Sequence, residues 1–161
     1  MLFKASLDKT AVGITIFITA LFAFIAGALS IVNVNTDAAH PIYVDIILLI
    51  IYCLAFAFRP AGYKITGDTL IICRPISNVQ INRTDIKKVE MLDNKELSGT
   101  IRTFGVGGLF GYYGFFANYT LGSMTWYATR RDKGVLITTI NNKKIVVTPD
   151  EQAAFVDALN V

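Results

Sequence analysis

At 161 residues, with two cysteines, one histidine and a net charge of +3, the chain has room for one folded domain or a small domain with an anchor. Thirteen Lys/Arg against nine Asp/Glu from Arg59 onward is too mild and too scattered an excess for nucleic-acid binding. The hydrophobic share of 53% exceeds what a soluble domain of this size needs, and the excess lies mostly at the front of the chain.

Ala11 to Val34 is 24 residues without a charge, enough for a transmembrane helix. A secretory signal would have a shorter apolar core and a cleavage motif, and here a second apolar run follows at once. Ile42 to Phe58, 17 residues, is short but adequate for a second span. Between them lies a polar connector, Asn35 to Pro41, holding Asp37 and His40. The expected unit is a transmembrane hairpin over residues 1–60. Lys4 and Lys9 precede it, Arg59 and Lys64 follow it, and the connector holds no Lys or Arg. That bias places both termini, and everything after Arg59, in the cytoplasm of a multi-pass inner-membrane protein. Asp45 falls near the outer interface, where a carboxylate reaches water. Cys53 and Cys73 form no motif and read as reduced packing residues.

Residues 61–161 change character. Short alternating runs at Tyr63–Thr66, Thr69–Arg74, Val79–Asn82, Ile86–Leu92, Thr100–Phe104, Ser123–Arg130, Val135–Ile140 and Lys144–Thr148 are separated by turn signals such as Gly67-Asp68 and Asn141-Asn142-Lys143. About seven antiparallel strands in a barrel or sandwich are expected. Thr148-Pro149-Asp150-Glu151 then offers a threonine cap, a first-turn proline and a capping-box glutamate. Gln152, Phe155, Val156 and Leu159 share one face of a closing helix.

Thr103 to Thr129 is 27 residues without a charge, holding six glycines and nine of the nineteen aromatics. Gly105-x-Gly107 is followed by Phe110 where a dinucleotide fingerprint needs glycine, and no phosphate-loop lysine follows. A third transmembrane helix would carry six glycines at about 1 kcal/mol each. A glycine-bent strand pair and a loop that enters the bilayer or a partner remain. Adjacent strand residues face opposite sides. At least one of Tyr112 and Tyr113, and one of Phe115 and Phe116, is therefore expected to be exposed. The candidate partner or membrane contacts are Phe104, Phe110, Tyr112, Tyr113, Phe115, Phe116 and Tyr119.

Tyr63-Lys64-Ile65, Ile86-Lys87-Lys88-Val89, the run from Arg102 to Gly114, and Ile145-Val146-Val147-Thr148-Pro149 resemble bacterial PH-domain proteins, small membrane proteins with a hairpin anchor. The resemblance implies a membrane-anchored α+β fold. In it, a PH-like seven-stranded antiparallel barrel or sandwich with a C-terminal capping helix follows the hairpin. Phosphoinositide-binding PH domains carry a first-strand lysine and a basic pair on the second strand. Lys64 and Arg74 are placed for this, but Ile76 stands where the pair would be completed.

No triad, metal spacing or cofactor motif is present in the sequence, so a non-enzymatic role follows. Two functions are weighed. One is an interaction or scaffold module that meets another membrane protein, or a second copy, through residues 104–119. The other is peripheral binding of anionic lipid, or envelope-stress sensing, through Lys64, Arg74, Lys87, Lys88, Arg130 and Arg131.

Overall fold

The computed structural model describes residues 1–35 and 43–160, with side chains of the first helix described as far as Ala28. The connector from Thr36 to Pro41, His40 included, lies outside the described residues.

The chain opens on strand β1 (Leu2–Lys4), ahead of helix α1 (Lys9–Asn35). Asp8 starts that helix: its carboxylate accepts the Ala11 N–H at 2.6 Å and its carbonyl accepts that of Val12 at 3.0 Å. This is the N-cap geometry that satisfies otherwise unpaired first-turn donors. The segment Lys9–Ala28, with mean hydropathy 2.3, is long and apolar enough to cross a bilayer. Helix α2 (Tyr43–Phe58) is also apolar but, at 16 residues, falls below the length usually needed for a span. The two helices lie side by side: the Thr19 and Tyr52 hydroxyls are 2.9 Å apart, and the Phe22 and Tyr52 rings 6.0 Å.

Strands β2 (Gly62–Thr66), β3 (Thr69–Cys73) and β4 (Val79–Asn82) follow, and β1 joins them to make an antiparallel sheet in the order β1-β2-β3-β4. Leu2–Lys4, inside the segment read as the hairpin, thus pairs with β2, placing Phe3 opposite Tyr63. The second sheet contains β5 (Ile86–Leu92), β6 (Ile101–Gly108), β7 (Gly111–Asn118), β8 (Gly122–Ala128), β9 (Gly134–Thr139) and β10 (Lys144–Val147). Its order is β5-β9-β10-β8-β7-β6, antiparallel except between β10 and β8. A short helix, α3 (Asn94–Leu97), links β5 to β6, and α4 (Gln152–Asn160) ends the chain.

The architecture is the expected sandwich with a closing helix, in two open sheets rather than a closed barrel. Ten strands are present where about seven were expected. Those without a counterpart among the expected runs are β1, which is only three residues long, and β7; β6 extends the run expected at Thr100–Phe104 into the glycine segment.

Two cores flank the second sheet. Tyr63, Leu70 and Ile72 of the first sheet meet Val135, Ile137 and Val147 of the second, with Phe155 and Leu159 of α4 closing the end. Burying a side chain such as Phe155 contributes about 1.5–3 kcal/mol. On the opposite face, Leu136 and Val146 pack with Tyr112, Phe116, Trp126, Leu97 and Ala11 of α1.

Thr148 does not cap α4, which begins at Gln152. The Thr148 side chain is buried instead: its hydroxyl accepts the Thr129 N–H at 2.9 Å, and its own N–H donates to the Tyr63 hydroxyl at 2.9 Å. The helical face itself is as expected, with Phe155 and Leu159 buried and Gln152 donating to the Gly134 carbonyl at 2.8 Å.

Candidate functional site

The glycine segment forms the β6–β7 hairpin and β8, so it is neither a helix nor a loop. Its glycines have a steric cause. Gly105 faces Gly114 in the ladder with φ of 108° and 121°, and a Cβ on either would overlap the other strand's backbone. At the turn, a Cβ on Gly108 would lie 2.5 Å from Ile14 Cδ1 of α1.

That turn is seated on both helices. Phe110 takes a left-handed φ of 59°, uncommon for an aromatic residue. Two ring contacts hold it, Tyr52 at 5.2 Å and Phe56 at 5.4 Å, both edge-on. Its N–H donates to the Thr15 hydroxyl at 2.9 Å. The Tyr113 hydroxyl donates to the Ala55 carbonyl of α2, and burial pushes that phenol's pKa up.

A second tie forms at the start of α1. The Asp8 carboxylate accepts the Tyr112 hydroxyl at 3.2 Å and the Arg131 N–H at 3.1 Å, besides capping the helix. Burial, followed by the Asp8 charge, pushes the Tyr112 phenol up to about 12. Arg131 lies over the Tyr112 ring at 5.4 Å and donates to the Thr100 carbonyl at 2.8 Å.

The seven aromatic candidates therefore divide. Phe110 and Tyr113 pack on the helices, and Tyr112 and Phe116 are core, the last stacked on Trp126 at 4.6 Å. Phe104, Phe115 and Tyr119 are exposed, at 72%, 51% and 108%. The expectation of one exposed residue per adjacent pair holds for Phe115 and Phe116 but not for Tyr112 and Tyr113. Both tyrosines are buried because the sheet is covered on both sides there, by its core on one and by α2 on the other.

β6 is an edge strand of its sheet, and Ile101 and Phe104 on it are exposed. Phe115 on the neighbouring strand lies opposite Phe104, their rings 6.4 Å apart. An open edge with exposed apolar side chains is a template for strand addition.

The basic candidates are dispersed. Arg74 is turned onto the Ser77 carbonyl at 2.6 Å and over the Phe58 and Tyr127 rings. Lys88 pairs with Glu90 at 2.6 Å. Arg130 pairs with Asp132 at 2.6 Å and lies 3.8 Å from Asp150. The Arg130 hydrogen bond holds the Asp132 carboxyl below its ordinary range. For Asp150, burial acts upward, but hydrogen bonds from the Ser6 hydroxyl and N–H, with the Arg130 and Lys133 charges, together outweigh it, and that carboxyl too is lowered. Lys64 and Lys87 are exposed. Lys9, Arg130 and Arg131 share the rim of an open cavity of about 650 Å³ beside Asp8.

Among the described residues, no three His, Cys, Asp or Glu side chains converge. Asp8 and Thr15 join the site without having been singled out in the sequence. A polar residue just ahead of an apolar run was the only available signal, and it pointed to Asp8.

No curated protein and no solved structure matches this chain. The family model described as bacterial PH domain matches residues 61–161, and the chain belongs to that family.

Proposed function

We propose that this protein is a membrane-anchored binding module without catalytic activity, whose PH domain meets another membrane protein through the open β6 edge. On this reading α1 and α2 form a two-span hairpin, both chain ends face the cytoplasm, and the β6–β7 turn fixes the domain to the hairpin. The observation that carries the interaction is the edge strand itself, with Ile101, Phe104 and Phe115 exposed on and beside it. A partner strand would pair with the β6 backbone, while the two phenylalanine rings select its side chains. The hairpin confines both proteins to one surface and raises their effective concentration.

The test is a Phe104→Asp, Phe115→Asp variant in native membranes. The expected result is unchanged folding and membrane retention with loss of the co-purified partner. Retention of the partner would contradict the reading.

A further inference from the structure

A groove of about 500 Å³ runs between α1, α2 and β6. Its floor and walls are apolar: Ile14, Ile18 and Phe22 from α1, Ile51 and Leu54 from α2. One charged side chain, Arg102, lines it. Arg102 folds back along its own strand over Gly107, where a Cβ would only make ordinary contact with it, 3.5 Å from Nη1. Nη1 donates to the Gly105 carbonyl at 3.2 Å. Among the described residues no carboxylate pairs with this guanidinium, and its Nε and Nη2 donors are unengaged.

The groove also has a direction. Gly108, next to Gly107, is seated on Ile14, which a rise of 1.5 Å per residue places about 7.5 Å along α1 from Lys9. Phe22 is roughly 20 Å along the same helix. The lone cation is therefore at the end nearest the domain, and the apolar lining continues along the helices away from it.

We propose that this groove binds an anionic phospholipid, its phosphate on Arg102 and an acyl chain along Ile18, Phe22, Ile51 and Leu54. The occupant follows from chemistry. An unpaired guanidinium donates to phosphate oxygens. An apolar channel leading from it along a membrane-spanning helix takes hydrocarbon. This inference rests on the membrane reading of α1 and α2. It assigns Arg102, which stands on β6 between the Ile101 and Phe104 offered to a partner protein but lines the groove with its side chain.

The experiment uses the full chain in detergent, examined by native mass spectrometry with phosphatidylglycerol and phosphatidylcholine as probes. Wild type is expected to retain phosphatidylglycerol in preference. Arg102→Gln is expected to lower that preference about fivefold, the worth of one cation at a lipid surface, with Arg102→Lys keeping most of it. Leu54→Trp, which narrows the groove and leaves the charge in place, is expected to reduce retention of both lipids. Equal retention of the two lipids by wild type, or a preference unaltered in Arg102→Gln, overturns the inference while leaving the membrane reading intact. A chain that separates with the soluble fraction overturns both. A photoreactive residue at Leu54 that captures protein rather than lipid assigns the groove to a partner helix and also overturns it.

Discussion

The Phe110 N–H donates to the Thr15 hydroxyl at 2.9 Å, joining the tip of the β6–β7 hairpin to the second turn of α1. The same hydroxyl donates to the Ala11 carbonyl at 2.7 Å, so one side chain serves both the helix and the hairpin. Thr15→Val removes the acceptor and leaves the Phe110 N–H without its partner. The expected cost is about 1 kcal/mol, read from chemical denaturation of the full chain in detergent.

Gly108 and Ile14 make a sharper test of that docking. Gly108 has φ of 131°, and Ile14 Cδ1 lies 2.5 Å from where its Cβ would stand. Gly108→Val is expected to destabilise by roughly 2–3 kcal/mol through strain and overlap together. Adding Ile14→Ala relieves the overlap but not the strain, so the double variant is expected to recover part of the loss. Strict additivity in a double-mutant cycle would place the two residues out of contact.

Asp8→Ala removes the α1 cap and the acceptor for Tyr112 and Arg131 together, at an expected cost of about 1–2 kcal/mol. Asp8→Asn keeps an acceptor for the cap but loses the charge. Since burial and then the Asp8 charge raise the Tyr112 phenol to about 12, the asparagine variant is expected to bring that value down. Phenolate absorbance during an alkaline titration, compared with Tyr112→Phe, reads this directly.

Tyr63 gives a pH dependence with a defined sign. Its hydroxyl donates to the Tyr127 carbonyl at 2.6 Å and accepts the Thr148 N–H, and burial pushes its pKa up to about 12. Unfolded, the phenol ionises near 10. Its stabilising contribution is complete below that value and declines as pH rises toward 12, by roughly 3 kcal/mol in all. Tyr63→Phe should cost about 1–3 kcal/mol at neutral pH and flatten this alkaline decline, as followed by near-ultraviolet circular dichroism.

The Ser6–Asp150–Arg130–Asp132 cluster behaves oppositely. Both carboxyls are lowered in the fold, so their contribution is present above the ordinary carboxylate range and is lost as pH falls through the folded values. The Asp132 side chain is 48% exposed, so solvent screening keeps its share under about 1 kcal/mol. Asp132→Asn is expected to lower stability slightly at neutral pH and to match wild type in acid.

The parts of this fold that are legible in the sequence are those set by local pattern. Alternation in Tyr63–Thr66 and apolar composition from Ala11 to Phe58 mark strand and helix before any contact is known. Distant partners decide the rest. Thr148-Pro149-Asp150-Glu151 has every local mark of a helix start, yet Thr129 takes the Thr148 hydroxyl and Tyr63 of β2 takes its N–H. Leu2–Lys4 is too short to signal a strand and becomes one only against β2. Tyr112 and Tyr113 mislead because alternation implies one wet face, whereas helices cover the second face here. The place of Arg102 in a groove is not legible locally, since much of that groove comes from α1 and α2.

The interaction reading is tested most directly by photocrosslinking in native membranes, with the photoreactive residue at Phe104, at Phe115 and, as a buried control, at Tyr113. A discrete protein adduct from the first two positions and none from the third is the expected result. Silence at Phe104 and Phe115, or lipid adducts alone, would contradict a partner on the β6 edge.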